Sequence, residues 1–239
     1  MLLWPALFIW AVVFAIFLAF GTALPIAVAA GVVAAVVVLA LVLLLARKLC
    51  DGMAGATPAD LHKHASLFSI IEALCLTHGL DLPKLMVMDD SSPTVLAYGD
   101  RICVSAGFFS HLSVVEQEAV VAHALCRIQR GHARTDALAA VVFGFVLAPL
   151  GMRSLAGRCA TTLRGRHGLL ASDLAAVRLT RYPPGLMSAL QQMQNSPVPN
   201  LAPPIDHLQA LPRKQSAHKQ SARKQYELLD SRVGLLAEI

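Results

Sequence analysis

The chain contains 239 residues, of which 56% are hydrophobic and only 15% are charged, and its formal net charge is +5. Soluble domains average about 25% charged residues, so this composition argues against an ordinary water-soluble domain and indicates a bilayer protein. The five cysteines form no CxxC pair, which favours free thiols in a reducing compartment over a disulfide framework.

Two apolar runs lie near the start of the chain, from Leu2 to Phe20 and from Pro25 to Ala46, with the turn sequence GTALP between them. Each run has roughly the 20 residues that a helix needs to cross about 30 Å of hydrocarbon. Within lipid, a helix satisfies its own backbone groups, which a single strand does not. We therefore predict a transmembrane helical hairpin over residues 1–48 and a small-residue linker over 49–59.

A cleaved signal peptide is the alternative interpretation of this region. It would begin with positive charge, whereas residues 1–10 contain no Lys or Arg, and a second long apolar run follows the first. Arg47 and Lys48 close the second run, so the positive-inside rule places the main domain in the cytoplasm. These features predict a multi-pass protein of the inner, or cytoplasmic, membrane.

The remaining residues, 60–239, combine helical periodicity with short strand-like segments. Apolar residues recur at helical spacing over Leu61–Leu76, and Gly79 is the expected end of that helix. The segment KLMVMDD has the composition of a strand. The segment TVLAYGDRICVSAGFF predicts two short strands that are joined by a turn at Gly99 and Asp100.

The next segment, SHLSVVEQEAVVAHALCRIQRGH, predicts an amphipathic helix that opens with a capping box formed by Ser113 and Glu116. Residues 137–152 are apolar but reach only about 24 Å as a helix. We expect them to form a short buried or membrane-dipping helix rather than a span. Later helices are predicted at 171–180 and 185–193, with a break at the sequence RYPPG.

A basic loop is predicted at 213–224, where KQSA is repeated and five Lys or Arg residues occur without an acid. A solvated charge run is the simplest expectation for this segment. Beside a membrane it would attract anionic lipid, with about 1 kcal/mol for each basic residue near the surface. Membrane lipid is therefore an expected partner, and we expect no nucleic acid partner.

Several segments, taken in order, resemble the HtpX-like membrane metallopeptidases, the family that also contains the CaaX prenyl endopeptidases. LPKLMVMDDSSPTVLAYGDRICVSAGFF looks like the family's strand, turn and substrate-edge hairpin. LSVVEQEAVVAHALCRIQRGH is similar to the helix that carries H-E-x-x-H. SDLAAVRLTRYPPGLMSALQQM is similar to the helix whose opening supplies E-x-x-x-D, and HLQALP and LDSRVGLLAEI resemble the closing segments.

This resemblance implies an α+β fold, in which the transmembrane helical hairpin precedes a mostly helical, zincin-like domain with a small β-sheet. That peptidase-like domain would cover residues 60–239. The resemblance also implies a binding groove along the edge of the hairpin, formed by Thr94, Val95, Leu96, Ala97 and Tyr98.

In the family, two histidines four residues apart on one helix face bind Zn²⁺, and the glutamate between them takes a proton from the metal-bound water. A glutamate of the second helix supplies the third ligand. By this resemblance, His123 matches the first ligand. Ala124 replaces the general base, Arg127 replaces the second histidine, and Leu169 replaces the ligand glutamate four residues before Asp173.

These replacements predict a chain with no catalytic residue, no metal and no cofactor. A zinc site needs three or four protein ligands, and His123 is the one that matches. The guanidinium of Arg127 adds a fixed charge that repels a divalent ion by several kcal/mol at about 4 Å. We predict that Arg127 and Asp173 form an ion pair that ties the two helices together in place of the metal.

A different site is the alternative interpretation of these residues. His123, Cys126 and Asp173 could together hold zinc, or Cys126 and His123 could form a nucleophile pair. A packed, buried thiol is the simpler interpretation of Cys126.

Three functions are compatible with the sequence. The first, which the replaced site residues favour, is a catalytically inactive homologue that acts as a binding, regulatory or complex subunit with a membrane-protein partner. The second is an active membrane metalloendopeptidase with an atypical site and zinc as its cofactor. The third is a membrane-anchored scaffold whose groove is closed.

Overall fold

The computed structural model describes residues 24–147, 169–202, 205–211 and 230–238. The chain divides into two compact units, Met1–Ala46 and Arg47–Ile239. Several predictions fall outside the described residues, wholly or in part. They are the first apolar run, the end of the short helix predicted at 137–152, and the basic loop at 213–224.

Helix α1 runs from Leu24 to Ala54, so the second apolar run is helical, as predicted. Within the described ranges, however, no helix combines the length and the apolar character that crossing a bilayer requires. The transmembrane hairpin is therefore not confirmed. The linker predicted at 49–59 needs correction, because α1 continues to Ala54 and strand β1 follows at Thr57–Pro58.

Side-chain contacts explain why residues 47–54 are helical rather than a loose linker. The Tyr98 hydroxyl donates a hydrogen bond to Asp51 Oδ1 at 2.8 Å, and Arg101 forms an ion pair with the same carboxylate. Arg47 Nη1 lies 3.0 Å from Asp100 Oδ1. Residues 47–54, which belong to the second unit, are therefore held against the hairpin of that same unit.

The second unit alternates a few strands with many helices. It continues with α2 (Ala65–His78), β2 (Lys84–Met88), β3 (Val95–Tyr98), β4 (Arg101–Ser105), α3 (Ala106–His111), α4 (Val114–Gln129) and α5 (His132–Leu147). Beyond residue 168 follow α6 (residues 169–180), α7 (Pro183–Asn195), a 3₁₀ turn (Asp206–Leu208) and α8 (residues 230–237). The molecule is thus mostly helical with a small mixed sheet, which agrees with the predicted α+β class.

Two helices begin at positions that differ from the prediction. Helix α2 begins at Ala65 rather than near residue 60, because Thr57–Pro58 pairs with β2 and the Asp60 carboxylate accepts the His62 amide in a turn. Helix α5 begins at His132, directly after Gly131, whose φ of 73° ends α4. Glycine adopts this left-handed conformation without the steric cost of a Cβ atom.

The strands form one sheet in the order β1-β2-β4-β3. Strand β2 pairs with β4 in parallel, from Lys84 opposite Arg101 to Met88 opposite Ser105. Strand β3 pairs with β4 antiparallel through the predicted turn at Gly99, whose φ is 60°. Strand β3 is therefore one of the two edge strands of the sheet, with one side directed away from β4.

The apolar core lies between this sheet and the helices. It takes buried side chains from the sheet, from α2, from α4 and from α7, including Val95, Ile102, Val104, Leu67, Ile71, Val120, Val121, Leu186 and Leu190. Helix α4 runs through the centre of this core, which is why its side chains are buried along most of its length.

Candidate functional site

Helix α4 carries the segment that resembles the metallopeptidase helix, and its start is fixed by the predicted capping box. The Ser113 amide donates to Glu116 Oε2 at 2.8 Å, and the Ser113 side chain accepts from the N3 backbone amide. Because residues four apart share a helix face, His123 and Arg127 project to the same side. Both are buried, at 0% and 2% exposure.

His123 contacts Asp173, which lies on α6. Its Nδ1 atom is 2.7 Å from Asp173 Oδ1, although the ring orientation gives neither ring nitrogen a well-aligned hydrogen bond. Burial lowers the pKa of His123 to about 4, against the opposing attraction of the Asp173 carboxylate. The imidazole is therefore neutral at pH 7.

Asp173 is bound on both carboxylate oxygens by Arg232, which lies on α8. Arg232 Nε donates to Oδ2 and Nη2 donates to Oδ1, each at 2.6 Å, and both side chains are fully buried. Burial alone would raise the pKa of Asp173, but the charge of Arg232, the contact with His123 and the hydrogen bonds to the carboxylate together outweigh it and lower that pKa to about 2. This is the bidentate fork geometry that makes arginine–carboxylate pairs strong.

Arg127 has a different carboxylate partner from the predicted one. Its Nη2 atom donates to Asp136 Oδ2 on α5 at 2.7 Å, and its Nη1 atom donates to the Leu208 carbonyl at 2.6 Å. The predicted Arg127–Asp173 pair is thus replaced by two pairs, Arg127–Asp136 and Asp173–Arg232. The physical reason is that Arg232 already satisfies both oxygens of Asp173, while Asp136 is within reach of Arg127.

Together these residues form a charge-balanced cluster, which we call the buried cluster: His123, Arg127, Asp136, Asp173 and Arg232. Two guanidinium groups face two carboxylates around a neutral imidazole. Buried charges are costly unless each is paired and hydrogen-bonded, and both conditions are met here. The cluster joins α4, α5, α6 and α8 by polar contacts.

The residues at this place do not fit the zinc ion that the resemblance implies. Ala124 and Leu169 offer no lone pair, and both are buried. Arg127 brings a cation to the position of a neutral ligand, and Asp173 has both oxygens engaged by Arg232. Across the described part of the chain, no group of three or more His, Cys, Asp or Glu side chains is arranged to hold a metal ion.

Cys126 lies on α4, but among the described residues it does not join His123 and Asp173 in a group arranged to hold a metal ion. Burial raises the pKa of its thiol to about 11, with Arg130 opposing this effect. The thiol is therefore protonated at neutral pH, and the thiolate is the form that attacks carbonyl groups or binds metals. The geometry of Cys126 matches the simpler interpretation of a packed thiol.

The predicted groove residues lie on β3 and just before it, and they are buried. Thr94, Val95, Leu96, Ala97 and Tyr98 are each at most 1% exposed. On the side of β3 away from β4, Leu96 forms an antiparallel bridge with Gln209, and the Ala210 amide donates to the Val95 carbonyl at 2.9 Å. This edge is therefore paired with a later segment of the same chain.

Two members of the buried cluster, Asp136 and Arg232, were missed by the sequence prediction. Asp136 lies nine residues after Arg127, in a different helix, and helical spacing does not relate the two. Arg232 belongs to LDSRVGLLAEI, which was assigned only as a closing segment. The available signal was a single arginine directly before the apolar residues of that segment, because an arginine that becomes buried requires a buried acid.

A separate pocket of about 240 Å³ opens beside the first turns of α4. It is lined by Val115, Glu118, Ala119, Thr180 and Tyr182. None of the predicted site residues lines this pocket.

Comparison with known proteins supports the resemblance. The chain is 28% identical over 174 residues to a curated protein named Protease HtpX homolog from Dictyoglomus turgidum, which covers 59% of this chain and 57% of the relative. It is 25% identical over 187 residues to the Protease HtpX homolog of Pediococcus pentosaceus, covering 61% and 63% of the two chains. A Bacteroides fragilis protein of the same name is 30% identical over 108 residues, 42% of this chain and 34% of that one.

The chain thus spans little more than half the length of the relatives from Dictyoglomus turgidum and Pediococcus pentosaceus. No protein-family model matches it, and no solved structure matches it significantly. The curated relatives nevertheless support an HtpX-like family relation for this chain.

Proposed function

We propose that this chain is a catalytically inactive, membrane-bound homologue of the HtpX-type zinc metallopeptidases, which acts as a binding, regulatory or complex subunit. The observation that carries the proposal is the buried guanidinium of Arg127. It lies at the position of a metal-binding histidine, 2.7 Å from Asp136. A structural ion pair occupies the place where the family's chemistry needs a neutral ligand with a free lone pair.

The missing general base supports the same proposal. Peptide hydrolysis by a metal-bound water needs a carboxylate that accepts the proton of that water. Ala124 has no such group. Asp173, the nearest carboxylate to His123, is held by Arg232, and its pKa of about 2 makes it a poor proton acceptor at neutral pH.

The proposed partners follow from the same family relation. We propose that the apolar N-terminal segment contacts membrane lipid, and that the chain acts through a membrane-protein partner or complex without a cofactor. The buried cluster joins four helices by polar contacts, an arrangement that suits a subunit that presents a fixed surface.

Zinc content and peptide cleavage test the proposal. The detergent-purified chain and the Dictyoglomus turgidum relative would be expressed and purified in the same way. Zinc would be measured by elemental analysis, and cleavage would be followed with unfolded casein. We expect substoichiometric zinc and no cleavage for this chain. One zinc per chain, or cleavage that a chelator abolishes, would refute the proposal.

A restored variant, Ala124→Glu with Arg127→His and Leu169→Glu, serves as the matched comparison. The wild-type chain and this variant share every residue outside the three replaced positions. If the three replacements account for the loss of metal, zinc should rise in the restored variant and not in Ala124→Glu alone.

The alternative is an active membrane metalloendopeptidase with an atypical site, and the relatives' name, protease, favours it. His123 and Cys126 are the residues that such a site would use. Cys126→Ser and His123→Gln should then each abolish any turnover that the wild-type chain shows. Turnover that is unchanged in both variants would remove this alternative.

A further inference from the structure

The segment 205–211 packs against β3, and we call it the strap. The Leu208 amide donates to the Ile205 carbonyl at 2.9 Å, and Gln209 Nε2 donates to the Asp206 carbonyl at 3.0 Å. Its apolar side chains, Ile205, Leu208 and Leu211, are at most 2% exposed. The strap is thus a folded and buried part of the second unit.

The strap pairs with the edge of the sheet through its backbone. The Leu96–Gln209 bridge is antiparallel, and the Ala210 amide donates to the Val95 carbonyl on the side of β3 away from β4. These are the backbone groups that an exposed edge strand would offer to an added strand of another chain. In this chain the strap pairs with these backbone groups of β3 instead.

The two buried arginines hold the strap in this position. Arg127 Nη1 donates to the Leu208 carbonyl at 2.6 Å, and Arg232 Nη1 donates to the Ala210 carbonyl at 2.9 Å. Hydrogen bonds from charged donors are stronger than those between neutral groups. Each arginine is in turn fixed by a carboxylate, Asp136 or Asp173.

We propose that the strap is an intramolecular substitute for a bound peptide: it fills the β3 edge and excludes extended polypeptides from it. The arginine at the former ligand position therefore also closes the edge, because the same guanidinium binds Asp136 and the strap. This inference goes beyond the proposed function, since a filled edge would exclude a peptide whether or not the chain cleaves one. Partners of the chain must then bind another surface.

A disulfide cross-link tests the pairing in the intact chain. Facing residues of an antiparallel pair have Cα atoms about 4.5–5.5 Å apart, within the roughly 4.4–6.8 Å that a disulfide spans. The double variant Leu96→Cys, Gln209→Cys should therefore form this cross-link under mild oxidation, as shown by peptide mass mapping. The single variant Leu96→Cys is the matched control, because Leu96 also faces the native Cys103 on β4, and peptide mapping distinguishes the two cross-links.

A peptide-binding experiment tests the exclusion. The probe is a fluorescein-labelled copy of the strap, Ile-Asp-His-Leu-Gln-Ala-Leu, added to the wild-type chain and to a variant with residues 205–211 replaced by a Gly-Ser linker. Fluorescence anisotropy should show binding at least about tenfold tighter to the replaced variant, a difference of about 1.4 kcal/mol.

Equal binding of the probe to the two proteins would overturn the inference, as would failure of Leu96→Cys, Gln209→Cys to cross-link. If the replaced variant does not fold, two results still test the inference. It is supported if Leu96→Cys, Gln209→Cys forms the cross-link and the wild-type chain does not bind the probe. Neither readout measures zinc or cleavage, so a result that refutes this inference does not refute the proposed function, and the reverse also holds.

Discussion

Substitution of either partner of the Asp173–Arg232 pair should strongly destabilise the fold. Both side chains are 0% exposed, so Asp173→Asn leaves a buried guanidinium without its counter-charge, and Arg232→Met leaves a buried carboxylate. Breaking a buried pair from one side typically costs about 3–5 kcal/mol. We expect each single variant to lose that much of its free energy of unfolding.

The double variant Asp173→Asn, Arg232→Met should cost about as much as one single variant, and not their sum. It removes both charges together but leaves buried polar groups without their arginine donor: the side-chain amide that Asp173→Asn introduces and the Ala210 carbonyl, which Arg232 binds at 2.9 Å. An unpaired buried carbonyl costs about 1–3 kcal/mol. The cycle should therefore give a coupling energy of about 3–5 kcal/mol between the two side chains, which is the cost of one single variant.

Urea unfolding of the detergent-purified chain, followed by far-ultraviolet circular dichroism at pH 7, measures these energies. The Arg47–Asp100 pair is the matched control, because its side chains are 47% and 34% exposed. Asp100→Asn should cost at most about 1 kcal/mol. Additive effects of Asp173→Asn and Arg232→Met, within about 0.5 kcal/mol, would refute the account of the buried cluster.

Three further predictions follow from single positions. His123 has a folded pKa of about 4 against 6.5 in the unfolded chain, so stability should fall by about 3 kcal/mol as the pH drops from about 6.5 to 4. Urea midpoints across that range test this loss, which should shrink in a His123→Phe variant. Gly107→Ala would place a Cβ atom 2.1 Å from the Ser91 carbonyl oxygen, and it should cost about 1–3 kcal/mol because backbone must shift. Gly234→Ala is its control, where the added methyl group meets nothing within 4 Å on a helix and should gain up to about 1 kcal/mol in thermal unfolding. Ser113→Ala breaks the capping box of α4 and should cost about 1 kcal/mol, which unchanged unfolding energy would contradict.

Local signals in the sequence predicted the parts of the fold that depend on neighbouring residues. The hairpin turn at Gly99 needs a left-handed residue, and Gly99 has a φ of 60°. The capping box of Ser113 and Glu116 depends on a spacing of three residues, and it is present as predicted. Turns and helix caps are determined by residues within a few positions of one another, so the residue types in the sequence are enough to predict them.

Features that depend on distant parts of the chain were less predictable. Strand β1 is Thr57–Pro58, two exposed residues whose strand conformation comes from pairing with Val87 and Met86. No alternation of apolar and polar residues marks so short a strand. The same limit explains the bridge between Leu96 and Gln209, which joins residues with no spacing relation in the sequence.

The candidate site contains some features that the sequence predicts and others that it does not. The positions of His123, Ala124, Arg127 and Leu169 could be assigned from the resemblance, and the structure brings His123 into contact with Asp173. The carboxylate that pairs with each arginine could not be assigned, because side-chain reach and competition decide it. Asp173 had two candidate arginines in the fold, and Arg232 binds both of its oxygens.

The order of the cluster along the chain has a consequence for synthesis at the ribosome. Asp173 emerges well before Arg232, which arrives 59 residues later. At about 5–20 residues per second, the carboxylate waits several seconds or longer for its guanidinium partner. During that interval the nascent chain contains a carboxylate that is costly to bury without its partner. Native packing around α6 must therefore follow the synthesis of α8.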